Sequence, residues 1–113
     1  MASLKTLAPH VRLSIRNPKS KNDSEFGRGI AELCLGVREH GSLNAAAKGM
    51  GMAYSKAWRI IRDTEEALGL QLLERDGAHG STLTKQADAL LDTYFTLSER
   101  LEAEAQQAYR QQL

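Results

Sequence analysis

The chain has 113 residues, of which 42% are hydrophobic, 26% are charged and one is a cysteine. These proportions are typical of one globular domain, and they exclude disordered, collagen-like and disulfide-rich classes. No apolar run approaches the roughly 20 residues that span a bilayer, and the N-terminus lacks the continuous apolar segment of a secretory signal. A single cysteine cannot form an internal disulfide, so we expect a cytoplasmic protein in a reducing setting.

The net charge of +1 conceals two halves of opposite sign. Residues 1–62 contain 11 Lys and Arg against 4 Asp and Glu, a net +7, whereas residues 63–113 contain 4 against 10, a net −6. This asymmetry indicates one end that faces a polyanion and another that is solvated or self-associating. The alternative is an uneven charge distribution on a surface that is only solvated.

The chain begins with the signature of a β-hairpin. Apolar and polar residues alternate over residues 11–16, as in a half-buried strand. Residues 17–23 are rich in turn formers, and residues 24–26 would form a short returning strand. We therefore expect a strand or hairpin within residues 8–27. It would either buttress a dimer or hold its basic side chains near DNA; these are Arg12, Arg16 and Lys19.

Three helices follow, and the last two are joined by a tight turn. Four apolar positions at steps of three and four predict a first helix over residues 28–40, ended by Gly41. Ser42 would cap a short helix over residues 43–50, and a third helix would run over residues 54–68. Two helices joined by a Gly-containing turn are typical of the helix-turn-helix motif. The apolar positions of the first helix are Ile30, Leu33, Cys34 and Val37.

The third helix has two distinct faces. At about 100° per residue, basic and hydroxyl residues lie at the start of its exposed face, and acids lie at its end. A helix that enters the major groove by its first turns would place Ser55, Lys56 and Arg59 near DNA. Trp58 lies at the edge of the buried face, where we interpret it as a packing anchor rather than a stacking platform for bases. The buried face comprises Ala57, Ile61, Thr64 and Leu68.

Residues 74–84 predict a β-hairpin with a Gly-rich tip at residues 76–81. A winged helix carries its wing at this place in the chain. Arg75 and His79 would then lie where they can touch phosphate or the minor groove. For His79, simple solvation is the alternative.

Thr84 caps a last helix that continues to about residue 111 without Gly or Pro. Its ~27 residues would form a rod of about 40 Å, longer than the roughly 26–28 Å diameter of a domain of this size. The overhanging part carries an apolar stripe, so we expect dimerisation through this helix; the alternative is that it folds back across its own domain. The stripe comprises Leu90, Leu91, Tyr94, Leu97, Leu101, Ala105 and Ala108.

No pattern of catalytic residues stands out. The three histidines are dispersed, and the sequence has no Gly-rich phosphate loop and no metal-ligand spacing. Cys34 lies within the apolar stripe of the first helix, which predicts a buried core thiol; redox sensing is the alternative. We therefore expect no enzymatic activity, no metal and no cofactor.

The stretch GSLNAAAKGMGMAYSKAW at residues 41–58, together with Leu73-Glu74-Arg75, a Gly-containing tip and Leu83-Thr84, closely resembles a known DNA-binding domain. It is the N-terminal domain of molybdate-responsive transcriptional regulators of the ModE type, relatives of the LysR-type winged helices. The resemblance extends over the N-terminal strand and the last helix, and so covers nearly the whole chain.

The resemblance implies a mainly α fold with a small β component. One winged helix-turn-helix domain would have its core at residues 28–84, preceded by the hairpin at 8–27 and followed by a dimerisation helix at 85–113. It also implies a homodimeric transcriptional regulator that binds a palindromic operator in double-stranded DNA, associated with the nucleoid.

Three departures from the ModE pattern matter. Ala53 stands where the family usually has an N-capping Ser, which would loosen the start of the third helix by ~1 kcal/mol. The wing tip is shorter and poorer in Gly and Lys, so we expect weaker phosphate contact. Family members also carry C-terminal molybdate-binding domains, whereas this sequence ends at Leu113. Molybdate sensing is therefore not expected of this chain.

The predicted DNA contacts divide into base readers and phosphate anchors. Lys56 and Arg59 are expected to reach base edges. The guanidinium of Arg59 matches the O6/N7 pair of guanine. Tyr54, Ser55 or Asn44 would add base or phosphate contacts. The expected phosphate anchors are Ser42, Lys48, Arg62, Arg75 and Lys85.

A winged-helix module that binds an acidic protein surface instead of DNA is the alternative function.

Overall fold

The computed structural model describes residues 3–77 and 80–113. The predicted wing contact of His79 therefore lies outside the described residues. The elements are a short 3-10 helix (Leu4–Thr6), α1 (Arg28–His40), α2 (Leu43–Gly49), α3 (Tyr54–Leu68), β1 (Leu73–Asp76), β2 (Gly80–Leu83) and α4 (Lys85–Gln112). This arrangement confirms the predicted mainly helical fold with a small two-stranded sheet. The bounds of α1 and α3 are as predicted, and α2 ends one residue earlier than expected.

The core lies between α1, α2, α3 and the first turns of α4. Apolar stripes at helical spacing meet there, and the four predicted apolar positions of α1 are all buried. Burial raises the pKa of the Cys34 thiol to about 12, so it stays protonated at neutral pH. The prediction of a core thiol is thus confirmed. The largest fully buried side chains include Phe26, Leu33, Leu43, Ile61, Leu72 and Leu91.

The turn between α2 and α3 is built from local signals. Ser42 caps α2, its hydroxyl oxygen accepting from the backbone N–H of Ala45 at 2.9 Å. At the other end of α2, the N–H of Met52 bonds the carbonyl of Ala47 at 2.9 Å. Gly51 adopts a φ of +66°, which side chains with a Cβ rarely adopt. The chain therefore reverses within the four residues 50–53 and sets α3 across α2.

The wing is an antiparallel pair in which Leu73 faces Leu83 and Arg75 faces Ser81. Two attachments fix it to the helices. The N–H of Ser81 bonds the carbonyl of Gly41 at 2.9 Å. A carboxylate oxygen of Glu65 in α3 accepts from the backbone N–H of the residue before β1, Leu72, at 2.7 Å. The position of the wing relative to α3 is therefore set by hydrogen bonds from backbone N–H groups in and next to the wing.

The predicted N-terminal hairpin reduces to one antiparallel bridge. Ile15 and Phe26 exchange two backbone hydrogen bonds of 2.9 and 2.8 Å, and the pairing extends no further. The physical reason is that the side chains of Asn17 and Asn22 bond nearby backbone N–H groups and fold residues 17–23 into local turns. Because Gly27 already caps α1, only three residues remain for a returning strand.

An N-terminal arm, residues 3–11, lies along the second half of α4. Glu102 accepts from the backbone N–H of Val11 at 2.8 Å and pairs with His10 at 2.7 Å. The Val11 hydrogen bond lowers the pKa of Glu102. Further along, the hydroxyl of Tyr109 donates to the carbonyl of Leu4 at 2.7 Å. The arm thus continues the protein body beyond the helical core.

The predicted dimer stripe of α4 divides between core and surface. Leu91 is fully buried and Tyr94 is 5% exposed, so both belong to the protomer's own core. This corrects their assignment to a partner contact, since α4 needs one face to pack on α1. Leu97 is 37% exposed. Leu90, Leu101 and Ala105 are half-buried and Ala108 is exposed. Within the described residues, no helix is both long and apolar enough to cross a membrane.

Replacing Gly36 with alanine is expected to destabilise the fold, although alanine favours helix. A Cβ at Gly36 would lie 2.6 Å from the Cβ of Ala46, so α1 and α2 would have to separate. We expect the free energy of unfolding to fall by about 1–3 kcal/mol, measured in urea. Gly29→Ala, in the same helix with nothing within 4 Å, is the control, and it should be neutral or stabilising. Equal effects of the two variants would contradict this account.

Candidate nucleic-acid interface

A cleft of about 330 Å³ lies between the start of α2, the start of α3 and the wing. It brings together four of the predicted contact residues, from three separate elements. They are Ser42, Asn44, Tyr54 and Arg75, and Trp58 lies among them. The cleft therefore joins α3 to the wing in one concave surface.

The remaining predicted contact residues lie outside this cleft, and all of them are exposed. Four occupy the solvent face of α3, next to the cleft; they are Ser55, Lys56, Arg59 and Arg62. Lys48 lies near the end of α2, and Lys85 lies at the start of α4. The buried face of α3 comprises Ala57, Ile61, Thr64 and Ala67, so the predicted division of its faces is confirmed except at Leu68, which is half-buried.

The cations of this surface form no ion pair with the carboxylates that the structure describes. Among the described residues, ion pairs with carboxylates engage Arg28, Arg38, Arg100 and His10. Arg38, for example, joins α1 to Asp88 and Asp92 of α4, and the Asp88 hydrogen bond raises its pKa. In the same part of the chain, no such pair includes any predicted DNA-contact cation. Their charge is therefore available to an external anion.

Trp58 packs against the core, as predicted, and its indole ring also contacts two arginines. The guanidinium carbon of Arg62 lies 5.6 Å from the indole centroid, and that of Arg75 lies 5.7 Å from it. Tyr54 meets the same ring edge to face, with centroids 6.3 Å apart. The contact of Arg75 with Trp58 could not be predicted from the sequence, because it depends on how the wing folds back onto α3.

The N-terminal basic residues are not part of this surface. Arg12 lines a second cleft, of about 480 Å³, with Val11, Phe95 and Glu102 between the N-terminal arm and α4. The turn at residues 17–23 contacts the far half of α3, where the side chain of Asn22 donates to the carbonyl of Asp63 at 3.3 Å. Neither placement joins the cleft between α3 and the wing.

Comparison with known proteins identifies the family. The model of the bacterial regulatory helix-turn-helix proteins of the lysR family matches residues 31–88, which is 58 of the 113 residues. The chain belongs to this family. No curated protein matches it.

Two solved structures are similar to the chain. The crystal structure of the CbnR_DBD–DNA complex matches with a TM-score of 0.59 and 25% identity, over 74% of this chain and 94% of that one. The crystal structure of the BenM_DBD/catB site 1 DNA complex matches with a TM-score of 0.55 and 26% identity, over 71% of this chain and 88% of that one. Both are DNA complexes by their descriptions. This lysR-family chain thus has the fold of winged helix-turn-helix DNA-binding domains, and its family is one of regulatory proteins.

Proposed function

We propose that this lysR-family chain is a sequence-specific transcriptional regulator that binds double-stranded DNA as a homodimer. The observation that carries the proposal is the exposed basic face of α3 beside a wing arginine, whose cations form no ion pair in the part of the chain that the structure describes. The two similar structures are DNA complexes, which supports the same partner here. The stretch at residues 41–58 supports a ModE-type subgroup within this class. A DNA target places the protein at the nucleoid of the cytoplasm.

In the proposed binding mode, α3 enters the major groove by its first two turns. Ser55, Lys56 and Arg59 lie there, whereas Asp63 and Glu66 lie near the other end of the helix and stay away from phosphates. Lys56 and Arg59 read base edges, because their donors match the acceptors of guanine. Tyr54 and Asn44 add contacts at the edge of the cleft.

The proposed phosphate anchors come from four elements. Lys48 comes from α2, Arg62 from α3 itself, Arg75 from β1 and Lys85 from the start of α4. Ser42 has a hydroxyl proton left to donate after its oxygen caps α2. Contacts of this kind fix the register on the duplex without reading its sequence.

The homodimer forms through the open face of α4. At about 100° per residue, the residues of α4 that face the core or the N-terminal arm lie on one side of the helix. Tyr94 and Glu102 mark the two edges of that side. The stripe of Leu90, Leu97, Leu101 and Ala108 lies about 60° or more from the centre of that side, and the N-terminal arm leaves Leu97 exposed. A two-fold axis through this stripe would present two α3 helices to a palindromic operator.

Selection of random duplex DNA on the purified protein tests this function. We expect enrichment of a two-fold symmetric motif whose half-sites lie about one helical turn apart. Affinity should fall linearly with log salt, since phosphate contacts release counterions. The double variant Lys56→Ala/Arg59→Ala is the control and should select no motif. No enrichment by the wild type, with shallow salt dependence, would contradict DNA reading and favour the protein-interaction module.

A further inference from the structure

We propose that Trp58 is a positioning residue that holds two arginines, Arg62 of α3 and Arg75 of the wing, ready for DNA phosphates. The inference rests on the proposed DNA-binding function and assigns to the half-buried indole a role within it. Because the indole contacts both arginines, the wing and α3 would approach the DNA backbone as one unit.

The geometry brings the two guanidinium groups to one ring from different elements. Arg62 follows Trp58 by four residues, so both side chains lie on the same face of α3. On β1, Arg75 is two residues after Leu73, which is buried, so both point to the face of the strand that packs inward. Its cross-strand partner Ser81 is only 6% exposed, as expected for that face. Arg75 is therefore directed towards α3 rather than away from it.

Stacking on an indole orders a guanidinium without using its hydrogen-bond donors. The attraction acts through the ring face, and the N–H groups stay in the guanidinium plane, free to bond an anion. Arg38 shows the opposite arrangement, because its nitrogens donate to Asp88 and Asp92. Within the described residues, neither Arg62 nor Arg75 forms an ion pair. Their donors thus remain available to a ligand.

The cleft supplies a place where such an anion would bind. Arg75 and Trp58 line it together with Asn44, whose exposed amide is a further donor. Tyr54 lies edge to face with the indole at 6.3 Å and closes one side. The guanidinium carbons of Arg62 and Arg75 lie 5.6 and 5.7 Å from the indole centroid, so positive charge is concentrated beside the cleft. The ligand that fits this charge is a phosphate of the duplex backbone.

The test is a double-mutant cycle on operator binding by the full chain. Trp58→Leu, which keeps apolar volume but no ring, is expected to weaken binding about tenfold, or about 1.4 kcal/mol. Trp58→Phe, which keeps a weaker ring, should recover most of that loss. In an Arg62→Ala/Arg75→Ala background, Trp58→Leu should cost less than about twofold, because no arginine remains to be positioned.

Two measurements separate positioning from general stability. Leu68→Ala is the matched control, because Leu68 packs on the core from the same helix and is not the ring that the two arginines contact. It should lower the melting temperature and leave operator affinity unchanged at temperatures at which the variant is folded. Trp58 is the only tryptophan in the chain, so its emission reports on the ring directly. Arg75→Ala should shift that emission to longer wavelength without DNA, as the indole loses its cover. If Trp58→Leu fails to fold, the emission of Arg75→Ala still tests whether Arg75 contacts the indole.

The outcomes distinguish this inference from the proposed function. A tenfold loss that persists in the double-alanine background would overturn positioning and indicate direct stacking or a structural role. Unchanged operator affinity in Trp58→Leu, or unchanged emission in Arg75→Ala, would also overturn it while DNA binding by the wild type stands. A wild type that binds no duplex at any salt concentration would overturn the proposed function and this inference together.

Discussion

Replacing Arg59 with alanine is expected to weaken binding to the selected operator by about 5- to 150-fold, which corresponds to ~1–3 kcal/mol. The reason is that Arg59 is exposed on the second turn of α3 and pairs with no carboxylate among the described residues. Its guanidinium can therefore form two hydrogen bonds with guanine. Binding to random DNA should fall far less, because that binding depends on phosphate contacts. Competition titrations with operator and random duplexes measure the ratio.

Lys48→Ala provides the contrast for Arg59. Lys48 is exposed near the end of α2, and we propose that it contacts phosphate only. Its loss should weaken all sequences alike and reduce the slope of log affinity against log salt by about 1. Equal losses on operator and random DNA for Arg59→Ala would contradict its assignment as a base reader.

The helices were predictable because their ends are marked by local chemistry. Gly41 and Gly69 end α1 and α3 with φ values of +72° and +75°, a conformation that glycine adopts without strain. Ser42 and Thr84 cap α2 and α4 with hydroxyl groups that accept from backbone N–H groups. Each of these signals acts within three or four residues of the helix end, so it can be read from the sequence alone.

The N-terminal arm was not predictable for the opposite reason. Its contacts join residues far apart in the chain, such as Val11 with Glu102 and Leu4 with Tyr109. An alternating pattern at residues 11–16 indicates a half-buried extended segment, which the structure contains, but it cannot name the surface that covers it. The alternation predicts a paired strand, whereas pairing is limited to the Ile15–Phe26 bridge and residues 11–13 line a cleft against α4.

The part of the candidate interface on α3 was predictable from the sequence, but the part at the wing was predicted incompletely. One helix with a clear period reveals which of its side chains face outward, and Lys56 and Arg59 do so. The contact of Trp58 with Arg75 spans two elements and depends on the register of β1. On α4, Leu90 and Leu91 are adjacent and so lie about 100° apart. Only the packing of the helix shows that Leu91 belongs to the core.

The substitution Leu97→Glu is expected to convert the protein to a monomer and to lower affinity for a palindromic operator by about 10²- to 10⁴-fold. Leu97 is 37% exposed in the protomer, so a carboxylate there can reach water and the domain should still fold. In the proposed dimer, the same position is covered by the partner, and a buried unpaired charge opposes association. A monomer also loses the gain in effective concentration that links two half-sites.

Sedimentation and operator titration together check this prediction, with Thr96→Glu as the matched control. Thr96 is exposed, next to Leu97 but about 100° around the helix, so the same charge should leave the dimer and its operator affinity intact. Binding of Leu97→Glu to a single half-site should persist, because the surface of α3 and the wing is unchanged. A Leu97→Glu protein that remains dimeric would place the partner contact elsewhere. A monomer with full affinity would mean that one protomer suffices for recognition.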